Sequence, residues 1–168
     1  MGSAERRIWL VAGPTASGKS AWALDLADQY DAVIINTDSM QVYSTLRLIT
    51  ARPSLEDEAR ATHLLYGHVD PGEAYSTAKW MNAVSLQLQK LPEDKAVIFV
   101  GGTGLYFKAL LEGISDIPEV PVEVRANWRK RLSDVGPELL YELLQTYDPH
   151  SAAHIKPADG QRIVRALE

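Results

Sequence analysis

Gly13-Pro14-Thr15-Ala16-Ser17-Gly18-Lys19-Ser20 follows the pattern G-x-x-x-x-G-K-[ST] of a phosphate-binding loop. Its flanks are the ones that pattern requires. An apolar run, Ile8-Trp9-Leu10-Val11-Ala12, precedes it, and an amphipathic stretch from Ser20 to Tyr30 follows. The glycines let backbone N–H groups turn toward phosphate oxygens, and the following helix adds the positive end of its dipole. Lys19 supplies a point charge, and the Ser20 hydroxyl is placed to hold Mg²⁺.

Working outward, the rest of the chain alternates strand and helix. Arg7 to Ala12 reads as a first strand and Gly18 to Tyr30 as a helix with Ala23, Leu26, Ala27 and Tyr30 on one face. Ala32 to Ile35 is a β-branched run without alternation, as in a strand buried on both faces of a parallel sheet. Ser54-Leu55-Glu56-Asp57 reads as a helix start, and Leu64 to Val69 as a minor strand. Ser76 or Thr77 caps a helix carrying Met81, Val84, Leu88 and Leu91 on one side. Ala96 to Val100 is a further buried strand, stopped by Gly101-Gly102-Thr103-Gly104, and Leu105 to Leu111 resumes a helical pattern. The expected fold is α/β, a doubly wound parallel sheet of P-loop NTPase-like type occupying residues 1–117.

Beyond Gly113 the character changes. Ile117-Pro118-Glu119-Val120-Pro121 reads as a linker, and residues 118–168 as a region of short helices. Its helices are expected at Val122 to Leu132, Pro137 to Thr146, Ser151 to Ile155 and from Asp159 onward. Gln161 to Glu168 is helical sequence with no stop signal after it, so a chain cut inside a helix is expected.

Composition narrows the function classes. The 168 residues suffice for one well-buried α/β domain, with 46% hydrophobic and 23% charged residues. No apolar run approaches the roughly 20 residues of a membrane span, and a cytoplasmic monomer is expected. Cysteine is absent, which removes disulfides, thiolate catalysis and zinc–thiolate sites. A net charge of −5 argues against a protein that coats nucleic acid indiscriminately. Arg125, Arg129, Lys130, Arg131, Lys156, Arg162 and Arg165 nevertheless concentrate in the last third. His63 and His68 lack metal-ligand spacing, and Trp9, Trp22, Trp80 and Trp128 are scattered as packing residues are.

Three motifs each follow the carboxyl end of an expected strand: the phosphate loop, Asp38 to Tyr43, and Gly101 to Gly104. In a parallel sheet they share one crevice. Asp38 is a general base, a water-mediated Mg²⁺ ligand or a helix cap. Thr103 either bonds a phosphate oxygen or closes a turn of its own. These residues describe a Mg²⁺-assisted phosphate-site enzyme of open reaction type.

Four segments carry a resemblance to a known family: Gly13 to Ser20, Asp38-Ser39-Met40-Gln41-Val42-Tyr43, Gly101-Gly102-Thr103-Gly104-Leu105-Tyr106 and Gln161 to Glu168. In content and order they resemble the N-terminal portion of the tRNA dimethylallyltransferases, also called tRNA isopentenyltransferases. The resemblance implies transfer of a dimethylallyl group from dimethylallyl diphosphate to N6 of adenosine 37 in the tRNA anticodon stem-loop. It implies that the phosphate loop holds the donor diphosphate, that Asp38 is the general base, and that Thr103 contacts the substrates at the reacting centre. It further implies that Ser39, Met40 and Gln41 contact the target nucleotide, that Arg125, Gln161, Arg162, Ile163, Val164 and Arg165 contact tRNA, and that residues 118–168 form a helical tRNA-binding insertion subdomain. Thr45 to Pro53 departs from the family pattern, keeping Thr50, Ala51 and Pro53 but losing two glycines and an acid. Prenylation of free adenine nucleotides, small-molecule kinase activity and a silent binding module are the competing expectations.

Overall fold

The computed structural model describes residues 5–45, 47–114 and 120–168. The chain divides into two compact units, Met1–Ser115 and Asp116–Glu168. The boundary expected between residues 117 and 118 lies outside the described residues.

The first unit runs β1 (Ile8–Ala12), α1 (Lys19–Tyr30), β2 (Val33–Asn36), α2 (Leu55–Arg60), β3 (His63–Leu64), α3 (Thr77–Lys90), β4 (Val97–Gly101) and α4 (Gly104–Glu112). Its strands lie in the order β1-β4-β2-β3, all parallel. β2 and β4 are buried along their whole length, which is why their sequences are apolar without alternation. Val97 and Phe99 of β4 join Val33 and Ile35 of β2 in one core layer with Trp80, Val84, Tyr106 and Phe107 of α3 and α4. Ile98 and Val100 pack on the opposite face with Ala23, Leu24 and Ala27 of α1. Helices on both faces make the sheet doubly wound.

Pairing register fixes where the site lies. Ala12 stands opposite Gly101 in the β1–β4 pair, and Asn36 opposite Val100 in the β2–β4 pair. Three adjacent strands therefore end level, and the loops leaving them start from one line.

Local chemistry sets the helix starts. Ser54 and Asp57 form a reciprocal capping box on α2, and the Ser76 hydroxyl accepts from Lys79 N on α3. Two expectations need correction. The minor strand is only His63–Leu64, because Leu65 and Gly67 take left-handed backbone angles (φ 62° and 55°) and break the extended run. Trp22 does not pack: it is exposed on α1, whereas Trp80 is fully buried and stacked on Tyr106 with ring centroids 4.2 Å apart.

The second unit comprises α5 (Val122–Tyr147), α6 (Pro149–Ala152) and α7 (Gly160–Leu167). α5 breaks at Gly136, whose φ of 80° is followed by Pro137, so it acts as the two helices the sequence suggests. Leu140, Leu144, Ala152, Ile163 and Val164 form its core. Among the described residues of the whole chain, no helix is long and apolar enough to cross a membrane.

Candidate active site at the carboxyl ends of three strands

The phosphate loop leaves β1 and is fastened to the end of β4, where Gly13 N donates to Gly101 O at 3.4 Å. Ser17 N donates back to Pro14 O at 3.4 Å, and Ala16 and Gly18 take left-handed angles (φ 63° and 81°). The α1 N-cap, Gly18, offers no side-chain acceptor to the first amides of α1. Those amides have no capping side chain, as at a helix start that can hold an anion. Lys19 Nζ donates to Pro14 O at 2.9 Å, folding over the loop.

The Asp38 turn leaves β2 beside it. Asp38 Oδ1 accepts from Met40 N at 2.9 Å, an Asx turn that does not lead into a helix. The other carboxylate oxygen faces the glycines after β4: a Cβ built on Gly102 would stand 3.7 Å from Asp38 Oδ2 and 3.5 Å from Gly13 O. Gly102 thus lies beside both of the other loops. Gly101 is required by the same convergence, since a Cβ there would fall inside the Thr37 carbonyl.

Thr103 Oγ1 accepts from Ser39 N at 2.9 Å and donates to the Ser39 hydroxyl at 3.2 Å. Its side chain bridges to the Asp38 turn; it makes no cap bond on α4. Gln41 Nε2 donates to Thr50 O at 2.7 Å and Ala51 O at 3.1 Å, which ties down these two residues of the divergent stretch. Met40 is half exposed.

Sequence reasoning missed the residues that hold this turn. Asn36 is fully buried; its Oδ1 accepts from Asp38 N at 2.9 Å, and its Nδ2 donates to Asp38 O at 2.9 Å and Leu65 O at 3.1 Å. Trp80 Nε1 donates to the Asn36 carbonyl at 2.9 Å. Burial, with the charges of Tyr75, Tyr43 and Asp38, pushes the Tyr106 phenol up to about 12, so it stays neutral beneath the site. Tyr66 was also missed. It lines a cavity of about 90 Å³ together with Thr15, Lys19, Ser20, Asp38 and Gln41. Only the buried-strand pattern before Asn36 hinted at any of these.

A family model described as IPP transferase matches residues 41–168. The chain belongs to that family. It is 58% identical over 161 residues to a tRNA dimethylallyltransferase of Chelativorans sp. (strain BNC1), covering 95% of this chain and 55% of the relative. A solved eukaryotic dimethylallyltransferase acting on tRNA superposes with a TM-score of 0.78 at 28% identity, over 96% of this chain and 40% of that one. The full-length tRNA isopentenylpyrophosphate transferase from Bacillus halodurans gives a TM-score of 0.63 at 30% identity, over 98% and 55% of the two chains. The sheet is accordingly of the P-loop NTPase-like type that these enzymes have. The chain spans about half the length of the curated relatives it matches.

The family positions expected to touch tRNA fall in the second unit and divide in two. Ile163 and Val164 lie in its core, 0% and 5% exposed, so their side chains pack against α5 instead of meeting a nucleic acid. Helical spacing explains this correction: they are the apolar face of α7. Arg162 and Arg165 lie on its exposed side. Arg165 pairs with Glu168 at 2.8 Å, Arg125 with the same carboxylate at 3.6 Å, and Arg162 with Asp159 at 3.4 Å. Gln161 is exposed.

Proposed function

We propose that this chain carries the catalytic site of a tRNA-modifying prenyltransferase, which moves a dimethylallyl group from dimethylallyl diphosphate to N6 of adenosine 37 in an anticodon stem-loop. The observation that carries the reading is the meeting of a phosphate loop, Asp38 and Thr103 at the level ends of three parallel strands, in a member of the IPP transferase family.

An aromatic amine is a weak nucleophile, so the rate depends on departure of the diphosphate. In the proposed step the C1–O bond of the donor breaks and its electron pair leaves with the diphosphate. N6 forms the new bond to C1, and Asp38 takes the proton that N6 loses. Loop amides and Lys19 neutralise charge developing on the leaving group. Mg²⁺ would be held at Ser20 of the phosphate loop, which lines the same cavity as Lys19 and Asp38. No cluster of three acidic or histidine side chains exists among the described residues, so Ser20 and the diphosphate oxygens would hold the ion with water. When bound, it supplies further positive charge to the leaving diphosphate. Thr103 and Ser39 would orient the substrates, Met40 and Gln41 would face the flipped nucleotide, and Arg125, Gln161, Arg162 and Arg165 would meet the RNA backbone. A monomer acting in the cytoplasm belongs to the same proposal.

The test is incorporation of labelled dimethylallyl from its diphosphate into unmodified anticodon stem-loop RNA, with AMP and ATP as competing acceptors. The full-length Chelativorans relative serves as the comparison. Transfer to RNA by the chain supports the proposal. Transfer to the nucleotides alone would replace it with cytokinin-type chemistry, and silence of the chain beside an active relative would show that these residues do not suffice.

A further inference from the structure

We infer that Tyr66 is an additional contact for the departing diphosphate, donating its phenol hydrogen to a phosphate oxygen. The inference rests on the phosphate-site reading above and adds a residue to it.

Two cavities open at this end of the sheet, of about 90 and about 70 Å³, and Tyr66 lines both. So does Ser20, the last residue of the phosphate loop. The Tyr66 ring is fixed edge-on against His63 with centroids 5.5 Å apart, while its hydroxyl bonds to none of the described residues. A half-buried phenol that lines two cavities, its hydroxyl reached by solvent and without a protein partner, is free to donate to a ligand there. The backbone that aims it is specialised. Leu65 holds a left-handed φ of 62°, a conformation uncommon for a leucine, and the Asn36 amide grips its carbonyl at 3.1 Å. The same Asn36 side chain grips both backbone groups of Asp38, so one buried amide sets Tyr66 and Asp38 relative to each other. Burial, and secondarily the Asp38 charge, raises the phenol's pKa, so Tyr66 meets an anion as a neutral donor. Ser20, shared by both cavities, sets Tyr66 beside the end of the phosphate loop.

Binding of inorganic pyrophosphate with Mg²⁺, measured by calorimetry, tests this on wild-type protein, Tyr66→Phe and Lys19→Ala. Phenylalanine keeps the ring and removes only the hydroxyl. The expected result is at least tenfold weaker pyrophosphate binding by Tyr66→Phe at an unchanged thermal midpoint, the size of one hydrogen bond to a charged group. In turnover with RNA, the donor KM should rise and the RNA KM should hold. Wild-type affinity in Tyr66→Phe, with loss in Lys19→Ala, overturns the inference and leaves the phosphate site standing. A raised RNA KM with unchanged pyrophosphate binding also overturns it, by assigning the hydroxyl to the base. Absence of pyrophosphate binding by the wild type overturns both readings.

Discussion

The phosphate loop and the Asp38 turn lie side by side and are built in opposite ways. The loop is largely exposed and shaped by its own residues: Ser17 and Lys19 both bond back to Pro14, with one tether to Gly101. The Asp38 turn is held from elsewhere in the chain. Thr103 bonds to Ser39 in the turn, and Leu65 and Trp80 fix the Asn36 that grips Asp38, through bonds spanning 29 to 64 residues. On the proposed function the difference has a chemical logic. An anion cradle needs free amides and tolerates adjustment, whereas a base that removes one proton must be held to a fraction of an ångström. Substitutions at the two places should therefore fail differently.

The largest effect is expected for Asp38→Ala. Loss of a general base should lower single-turnover transfer by about 10²- to 10⁴-fold. Pyrophosphate binding should stay near wild type, because the cradle does not depend on the carboxylate. Joint loss of both would erase the proposed division of labour.

Gly101→Ala comes next and acts on stability. The new methyl group would collide with the Thr37 carbonyl, backbone against backbone, where neither side can turn away. Overpacking of this kind costs about 3 kcal/mol, read as a lower urea midpoint. A midpoint equal to wild type would mean the strand ends are less tightly joined than the geometry shows.

Asn36→Ala sharpens the comparison most directly. It leaves the Asp38 N–H, the Asp38 carbonyl and the Leu65 carbonyl without their partner, at about 1–3 kcal/mol of stability. Transfer should fall while Lys19-dependent pyrophosphate binding weakens far less. Restoring a short polar side chain with Asn36→Ser should recover part of the kcat. Equal losses in pyrophosphate affinity and kcat would show the two loops to be one mechanical unit.

The same contrast explains what could be read from the sequence. The phosphate loop, the buried runs of β2 and β4 and the Ser54 start of α2 are local patterns, and the structure places each where its residues predict. The grip of Asn36 on Leu65, the stacking of Trp80 on Tyr106 and the aim of Tyr66 into the site depend on which strands become neighbours. Neither periodicity nor composition encodes that. Leu65 misled because leucine carries no signal for a left-handed turn, so the minor strand looked longer than it is. Ile163 and Val164 sat inside a motif segment, yet helical spacing turns them inward while Arg162 and Arg165 face out.

The smallest effect is expected where a sequence motif is entirely local. In the α2 capping box, Ser54 N and Oγ both donate to Asp57 Oδ2, at 2.9 and 2.8 Å, and Asp57 N donates back to Ser54 Oγ at 3.1 Å. Ser54→Ala should cost about 1 kcal/mol with no change in pyrophosphate binding. Hydrogen bonds from the Ser54 backbone and then its hydroxyl lower the Asp57 pKa. A carboxylate lowered in the folded state stabilises above its unfolded value, and that contribution is lost as pH falls through its folded value. Wild type should thus lose stability faster than Ser54→Ala on acidification below the ordinary aspartate range, and the two urea midpoints should converge. Because the bond from Asp57 N to the Ser54 hydroxyl does not depend on the carboxylate charge, convergence should be partial. Full convergence would place the hydroxyl's whole contribution in its bond to the charged carboxylate, and parallel curves would place it in the cap bond to Asp57 N alone.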